Sequence, residues 1–275
     1  MKVQSYSNAS TFEKKSIPFL VRRESLNNIF WEVFKKIGKP NGNIWMGNVF
    51  YRHRVGLSAV ITRTSNLFLS TGEKSCVDSL VKYGKRKKWK LKGVTGPNEE
   101  IDRFYLQWTK KSDYEKNPKD KVFSIFESTG SKQELSLGFT LKKVDPVDWP
   151  RVKLWTKQFA AESIPYLNEL ALVRMAKDMM NENSLFVLRN KDNVSCAMGG
   201  FGRTTPNKLI INLVFVPADM RRRGFARELV KGLLNKTNSH GFKHSVLFSD
   251  YEHGNNLYEA IGFQKVGKFC ERTFE

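Results

Sequence analysis

No apolar run in this 275-residue chain approaches the ~20 residues that a membrane-crossing helix needs. Lys14, Lys15, Arg22 and Arg23 interrupt the first apolar stretches, so the N-terminus carries no secretory h-region and a cytoplasmic protein is expected. Cysteine is scarce. Cys76, Cys196 and Cys270 are odd in number and widely separated, which excludes a disulfide framework and zinc-ligand spacing; no metal is expected. Acid is scarce too, with 27 Asp and Glu against 47 Lys and Arg, a net charge of +20. Residues 1–140 carry +13 of that and the remainder +7. Such a field attracts acidic partners: nucleic acid, an anionic membrane surface or a polyphosphate cofactor.

What is abundant is core material. Hydrophobic residues make up 40% of the chain and aromatics 12%, enough for two modest domains or one large one. The second half alternates strand-like and helix-like stretches. Leu135–Val144 reads as a strand ending at the turn signal Asp145-Pro146. Val147–Ser163 reads as an amphipathic helix with Val152, Trp155 and Phe159 on one face. Ile164-Pro165 breaks it, and Tyr166–Met180 resumes helical spacing. Leu185–Arg189 and Val194–Phe201 flank a hairpin turn at Asn190–Asn193. A strand over Leu209–Val216, a helix over Phe225–Asn235, a strand over Ser245–Ser249 and a short helix over Asn256–Ile261 come next. The last strand begins at Phe263, after Gly262.

The first half reads as a weaker version of the same plan. Helices are expected over Leu26–Ile37, Glu73–Tyr83 and Ile101–Trp108, the last after a turn at Gly93–Pro97. Strands are expected over Ile44–Tyr51, Val55–Arg63 and Leu67–Ser70. The polar stretch Ser112–Lys121 reads as the linker region, and the domains are placed at 1–134 and 135–275.

The segment that carries chemistry is Val214–Val230. A strand ends at Pro217, a basic turn comes after it, and a helix begins near Gly224. A helix start exposes N–H groups without intrahelical partners, and its dipole favours anions. Gly224 removes a Cβ from the ligand's approach, Ala226 keeps the next contact small, and Arg221, Arg222 and Arg223 add fixed positive charge. The pattern suits a pyrophosphate. In isolation three arginines opening a helix are a solvated face; the strand before them and the Gly-x-Ala after them favour a ligand.

Arg221-x-x-Gly224-x-Ala226, together with the closing segment Asn255–Phe263 some 30 residues on, resembles GNAT-type N-acetyltransferases. The resemblance extends to predicted bacterial acetyltransferases with two tandem GNAT-like halves. It implies an α/β (α+β) fold, a mixed sheet flanked by helices, acetyl-coenzyme A as cofactor and direct transfer of acetyl to an amine. By resemblance the cofactor site is Leu213, Phe215, Val216, Arg221, Arg222, Arg223, Gly224, Phe225, Ala226, Arg227 and Asn255. The backbone of Leu213–Val216 would meet the pantetheine arm, and the Phe215 N–H would polarise the thioester carbonyl. Tyr258 would donate a proton to the departing thiolate. Glu162 is the candidate general base, with Asp250, Glu252 and a water relay as rivals.

The first half lacks that turn: Leu67–Ser70 is followed by Thr71-Gly-Glu-Lys-Ser75. A degenerate GNAT-like half without a cofactor is implied, shaping the acceptor cleft. Lys82–Lys92 holds seven basic residues and no acid, with Tyr83 and Trp89 interleaved. It is either a solvated corner or a single-stranded nucleic-acid contact. A nucleic-acid-associated module and an acetyl-coenzyme A-sensing pseudo-enzyme therefore stand beside the enzyme reading. The acceptor, a small-molecule or peptide amine, and the oligomeric state are not encoded in any motif.

Overall fold

The structure, a computed structural model, describes residues 1–38, 43–110, 120–128, 133–163, 167–250 and 257–274. In chain order its elements begin with β1 (Lys2–Ser5), α1 (Ala9–Leu20), α2 (Glu24–Asn27), α3 (Ile29–Phe34), β2 (Asn43–Tyr51) and β3 (Arg54–Thr62). Next come β4 (Asn66–Leu69), α4 (Lys74–Arg86), β5 (Gly93–Pro97), α5 (Asn98–Thr109) and β6 (Lys121–Ser128). The second half contributes β7 (Thr140–Lys143), α6 (Trp149–Glu162), α7 (Glu169–Asn181), β8 (Leu185–Arg189), β9 (Ser195–Thr204) and β10 (Lys208–Phe215). α8 (Phe225–Ser239), β11 (His244–Ser249) and β12 (Phe263–Thr273) complete it. Two compact units result, Met1–Ile125 with Val266–Glu275, and Phe126–Lys265.

Each unit runs the same sequence of moves. In the first, β1 pairs antiparallel with β2, β2 with β3 and β3 with β4; then α4 carries the chain over to β5, parallel to β4. In the second, β7, β8, β9 and β10 form an antiparallel run, and α8 crosses to β11, parallel to β10. A parallel step needs such a crossover, because a tight turn can only reverse the chain. The α/β class and the mixed pairing expected from the sequence are what the fold contains.

Local patterns explain the elements. α4 buries Cys76, Val77, Leu80, Val81 and Gly84, a stripe at three- and four-residue spacing. β3 is buried without interruption from Gly56 to Ile61, which marks a strand covered on both faces. α1 repeats Phe12, Ser16 and Leu20 every four residues and is capped by Asn8, whose side chain accepts from the Thr11 N–H at 2.8 Å. α8 buries Leu229, Val230, Leu233 and Leu234 against its own unit's core.

Several expectations shift. Gly93–Pro97, read as a turn, is strand β5: its residues are all buried, and it pairs with β4 and with the last strand. Only Thr140–Lys143 of the expected Leu135–Val144 strand forms ladder pairs, with Leu137 fully exposed. The Leu26–Ile37 helix is divided at Asn28, whose side chain donates to the Ser25 carbonyl at 2.5 Å, and it ends at Phe34. Asn256, expected to open the short helix, and the Ile164-Pro165 break lie outside the described residues, as does most of the linker region. Among the described residues no helix is long and apolar enough to cross a membrane, and no group of metal-ligating side chains gathers.

The end of β12 belongs to the first unit. Phe269–Thr273 pairs antiparallel with Pro97–Gly93, and Arg272, only 6% exposed, meets Asp102 at 2.7 Å and Asp120 at 3.7 Å. Asp120 also accepts the Thr273 N–H at 3.1 Å. Removing one member of a buried ion pair strands the other's charge. Arg272→Leu is expected to lower unfolding free energy by about 3 kcal/mol, read from urea denaturation, while Arg272→Lys loses less.

Candidate active site

The site begins with a defect in β10. Against β9 the register jumps from Asn212↔Gly200 to Phe215↔Met198, so three steps along β10 span two along β9. This bulge puts Leu213 at φ 55, a conformation that costs a side-chain-bearing residue about 1–2 kcal/mol. Leu213 is held there by burial, at 3% exposure, in a cluster with Phe215, Met198 and Trp155. Pairing with β11 stops at the same place, the last partners being Ile211 and Leu247. Beyond it Val214, Phe215 and Val216 line a cavity of about 420 Å³ instead of a neighbouring strand.

The turn that closes the cavity comes directly after. Pro217 removes an N–H and ends the strand, a single 3-10 turn covers Ala218–Met220, and Arg222 (φ 62) and Gly224 (φ 80) bend left-handed. α8 then starts at Phe225. Gly224 has no side chain with which to cap the helix, so the first-turn N–H groups of α8 face outward without an intrahelical acceptor. The space where a Cβ on Gly224 would stand is empty to 4 Å. Glu228, the acid in that first turn, is buried and paired with Lys231. Burial alone would raise its pKa, but the Ser136 N–H at 2.8 Å and Lys231 at 3.0 Å outweigh burial and lower it.

Most of the residues expected from the sequence meet here. Phe215, Val216, Arg221, Arg222, Gly224, Phe225, Ala226, Arg227 and Tyr258 all line the cavity, joined by Val214, Met220 and Leu257. Leu213 lies behind it as the buried bulge residue, and Arg223, exposed, is not a lining residue. Asn255 and Glu252 lie outside the described residues. Arg221 has partners of its own: its Nε donates to the Val216 carbonyl at 3.0 Å, its guanidinium stands 5.6 Å from the Phe215 ring centre, and it pairs with Glu162. Arg222 has no ion pair among the described residues, which leaves its charge to the cavity. The sequence reading does not single out Met220 and Leu257; Met220 sits inside the strand-turn motif, and Leu257 precedes Tyr258.

Tyr258 packs between Phe126 and Phe263, each ring centre 6.0 Å away. Burial, and then the charge of Asp250, push its pKa up to about 12. The phenol is therefore protonated throughout the neutral range, the state that a proton donor requires. Tyr83 and Trp89, the aromatics of the basic Lys82–Lys92 stretch, pack against Trp45, with ring centres 5.8 and 4.7 Å from it. They also contact each other, and both remain half-buried.

The corresponding position of the first unit is built differently. Where β4 leads into α4, the Thr71 N–H donates to Asn27 Oδ1, the Gly72 N–H to Glu100 Oε1, both at 2.8 Å, and the Glu73 N–H to the Gly56 carbonyl at 3.1 Å. The three successive N–H groups of Thr71–Glu73 are thus taken up inside the fold.

Residues 156–274 match the family model described as acetyltransferase (GNAT) domain. The C-terminal half carries a GNAT acetyltransferase domain. Comparison with curated protein sequences gives no match. Among solved structures, a GCN5-related N-acetyltransferase from Sphaerobacter thermophilus superposes with a TM-score of 0.63 at 13% identity, covering 98% of this chain and 94% of that one. A GNAT-family acetyltransferase from Colwellia psychrerythraea gives 0.56 at 13% identity, with 100% of each chain covered. A Drosophila protein gives 0.61 at 9%, with 98% of each chain covered. At these identities the likeness is one of fold, and it spans both units, as expected of tandem GNAT halves.

The raised Tyr258 pKa has a consequence for stability. The unfolded chain ionises near pH 10 and the folded one near 12, so the folded state holds the extra proton between them. The contribution is intact below pH 10 and is lost as pH rises toward 12, at about 1.4 kcal/mol per unit. Urea unfolding at pH 9, 10 and 11 is expected to show a steeper loss for the native protein than for Tyr258→Phe.

Proposed function

We propose that this protein transfers an acetyl group from acetyl-coenzyme A to a primary amine of a small-molecule or peptide acceptor. The observation that carries the reading is a single cavity with three kinds of wall. One is a strand edge freed by a bulge, one an outward-facing helix start beside Arg222, and one a protonated phenol. The residues fit the cofactor: Arg222 and the first-turn N–H groups suit its pyrophosphate, and the free edge of Val214–Val216 suits an amide-bearing arm. Acetyl-coenzyme A, when bound, supplies the activated acetyl group.

The chain's own part in the chemistry is to position and to move protons. Backbone donors along Val214–Val216 orient the carbonyl that is attacked, and Tyr258 gives up its phenolic proton to the sulfur that leaves. Glu162 remains our candidate for taking the amine's proton. It is paired with Arg221 of the basic turn, the guanidinium that would hold a phosphate of the cofactor, so one arginine would link the cofactor's position to that of this carboxylate. The acetyltransferase scaffold serves many acceptors, and the choice among them lies in the cleft rather than in the fold.

Acetyl-coenzyme A at a hundredfold excess over its dissociation constant is expected to stabilise the protein by ~2.7 kcal/mol in thermal unfolding. Gly224→Val, which puts a branched Cβ into the empty space at φ 80, is expected to abolish that shift. Titration calorimetry should count one cofactor per chain, because the first unit lacks the Arg-x-x-Gly-x-Ala turn and its Thr71–Glu73 N–H groups are already taken. No shift at millimolar cofactor refutes the reading.

Tyr258→Phe keeps the ring between Phe126 and Phe263 and removes only the hydroxyl. With any accepted amine, turnover is expected to fall by about 10²–10⁴-fold while cofactor affinity changes little. Undiminished turnover would remove Tyr258 from the chemistry.

A further inference from the structure

The first unit contains a cavity of about 650 Å³, larger than the site cavity of about 420 Å³, and the acetyl-transfer reading leaves it without a role. It opens beside the loop after β4. Its walls are the end of α1 and the turn after it, with Phe19, Arg22 and Arg23, and the β2–β3 hairpin, with Tyr51, Arg52 and Arg54. The loop contributes Thr71, Gly72 and Glu73.

Four guanidinium groups thus share one concavity with a single carboxylate, the exposed Glu73. Of the other arginines in this unit, Arg103 pairs with Asp78 at 2.6 Å and Arg272 with Asp102 and Asp120, while the exposed Arg63 and Arg86 make no ion pair among the described residues. Arg22, Arg23, Arg52 and Arg54 make no ion pair or hydrogen bond among the described residues. Arg52 lies 5.2 Å over the Tyr51 ring, and Arg23 is close enough to Glu100 for its charge to lower that carboxyl's pKa slightly against the dominant effect of burial. Like charges drawn together without counter-charge repel, and an anion entering the cavity relieves that repulsion.

The chemistry of this concavity differs from that of the cofactor turn. The loop's N–H groups are consumed by Asn27, Glu100 and the Gly56 carbonyl, so recognition rests on guanidinium forks rather than on backbone donors. Such forks match the oxygens of a phosphoryl group two at a time, where a lysine would present a point charge. The volume exceeds that of a bare phosphate and falls in the range of small-molecule sites, and Phe19, Tyr51 and Val55 provide apolar surface for an organic remainder.

We propose that the first unit binds a phosphorylated small molecule of about nucleotide size in this cavity, through Arg22, Arg23, Arg52 and Arg54. The site is separate from the acetyl-coenzyme A cavity and does not depend on it. It turns the half that lost its cofactor turn into a binding module of its own.

The test uses the full chain carrying Gly224→Val, so that the cofactor turn does not contribute. Inorganic pyrophosphate, ADP and adenosine are titrated by calorimetry at fixed, moderate salt. Pyrophosphate and ADP are expected to bind one per chain and to weaken as salt rises; adenosine is expected not to bind. Arg22→Gln with Arg54→Gln should weaken ADP at least tenfold, with circular dichroism and melting temperature unchanged, since both side chains are exposed. Lys87→Gln with Lys88→Gln removes the same charge outside the cavity and should leave the affinity within about twofold. Absence of pyrophosphate and ADP binding at millimolar concentration would overturn the proposal. So would equal loss from the two double variants, which would show a general field rather than a site.

Discussion

The second unit's site depends on one backbone constraint, the bulge that places Leu213 in the left-handed region. A straight β10 would continue its parallel ladder with β11 past Ile211, and no cavity would open between them. The bulge spends local strain to end that ladder, and burial of Leu213 and Phe215 offsets the strain. The groups that line the cavity lie downstream of it in the chain, while Glu162, paired with Arg221, lies upstream. Downstream stand the free edge at Val214–Val216, the stop at Pro217, the left-handed residues at Arg222 and Gly224, and the α8 start that these residues aim at the cavity. The α8 face packed on β9 holds the helix start in place.

The first unit shows what happens when the same topology is closed instead of opened. Its β4–α4 connection occupies the same position in the chain order, but Asn27, Glu100 and Gly56 take the loop's donors. Glu100 is buried, and burial raises its pKa, so the fold accepts an electrostatic cost to seal the turn. Beside that sealed loop lies the arginine-lined concavity, four guanidinium groups against the one carboxylate of Glu73. The second unit thus lines its cavity with a helix start and arginine side chains together, whereas the first lines its concavity with arginine side chains.

How much of this is legible in the sequence depends on how local each signal is. The cofactor turn can be read because strand, proline, arginines, Gly224 and Ala226 are consecutive, and nine residues assigned to the site do line one cavity. The bulge cannot be read from composition: Leu213 is an ordinary strand residue by type, and only its φ marks it. β5 escapes the sequence reading because Gly93-Val-Thr-Gly-Pro97 carries turn residues while its burial comes from non-local pairing with β4 and β12. α1 escapes it because Lys14, Lys15 and Pro18 obscure a stripe of Phe12, Ser16 and Leu20 that includes a buried serine. The arginine cavity draws on three separated segments, so no window of sequence shows it.

The central claim is that the freed edge of β10 and the start of α8 together hold acetyl-coenzyme A. Amide hydrogen exchange, with and without the cofactor, tests it most directly. The account predicts slowed exchange across Asn212–Val216 and Phe225–Arg227, with no change at Thr71–Glu73. Protection confined to Thr71–Glu73, or none in the β10–α8 segment at saturating cofactor, would contradict it.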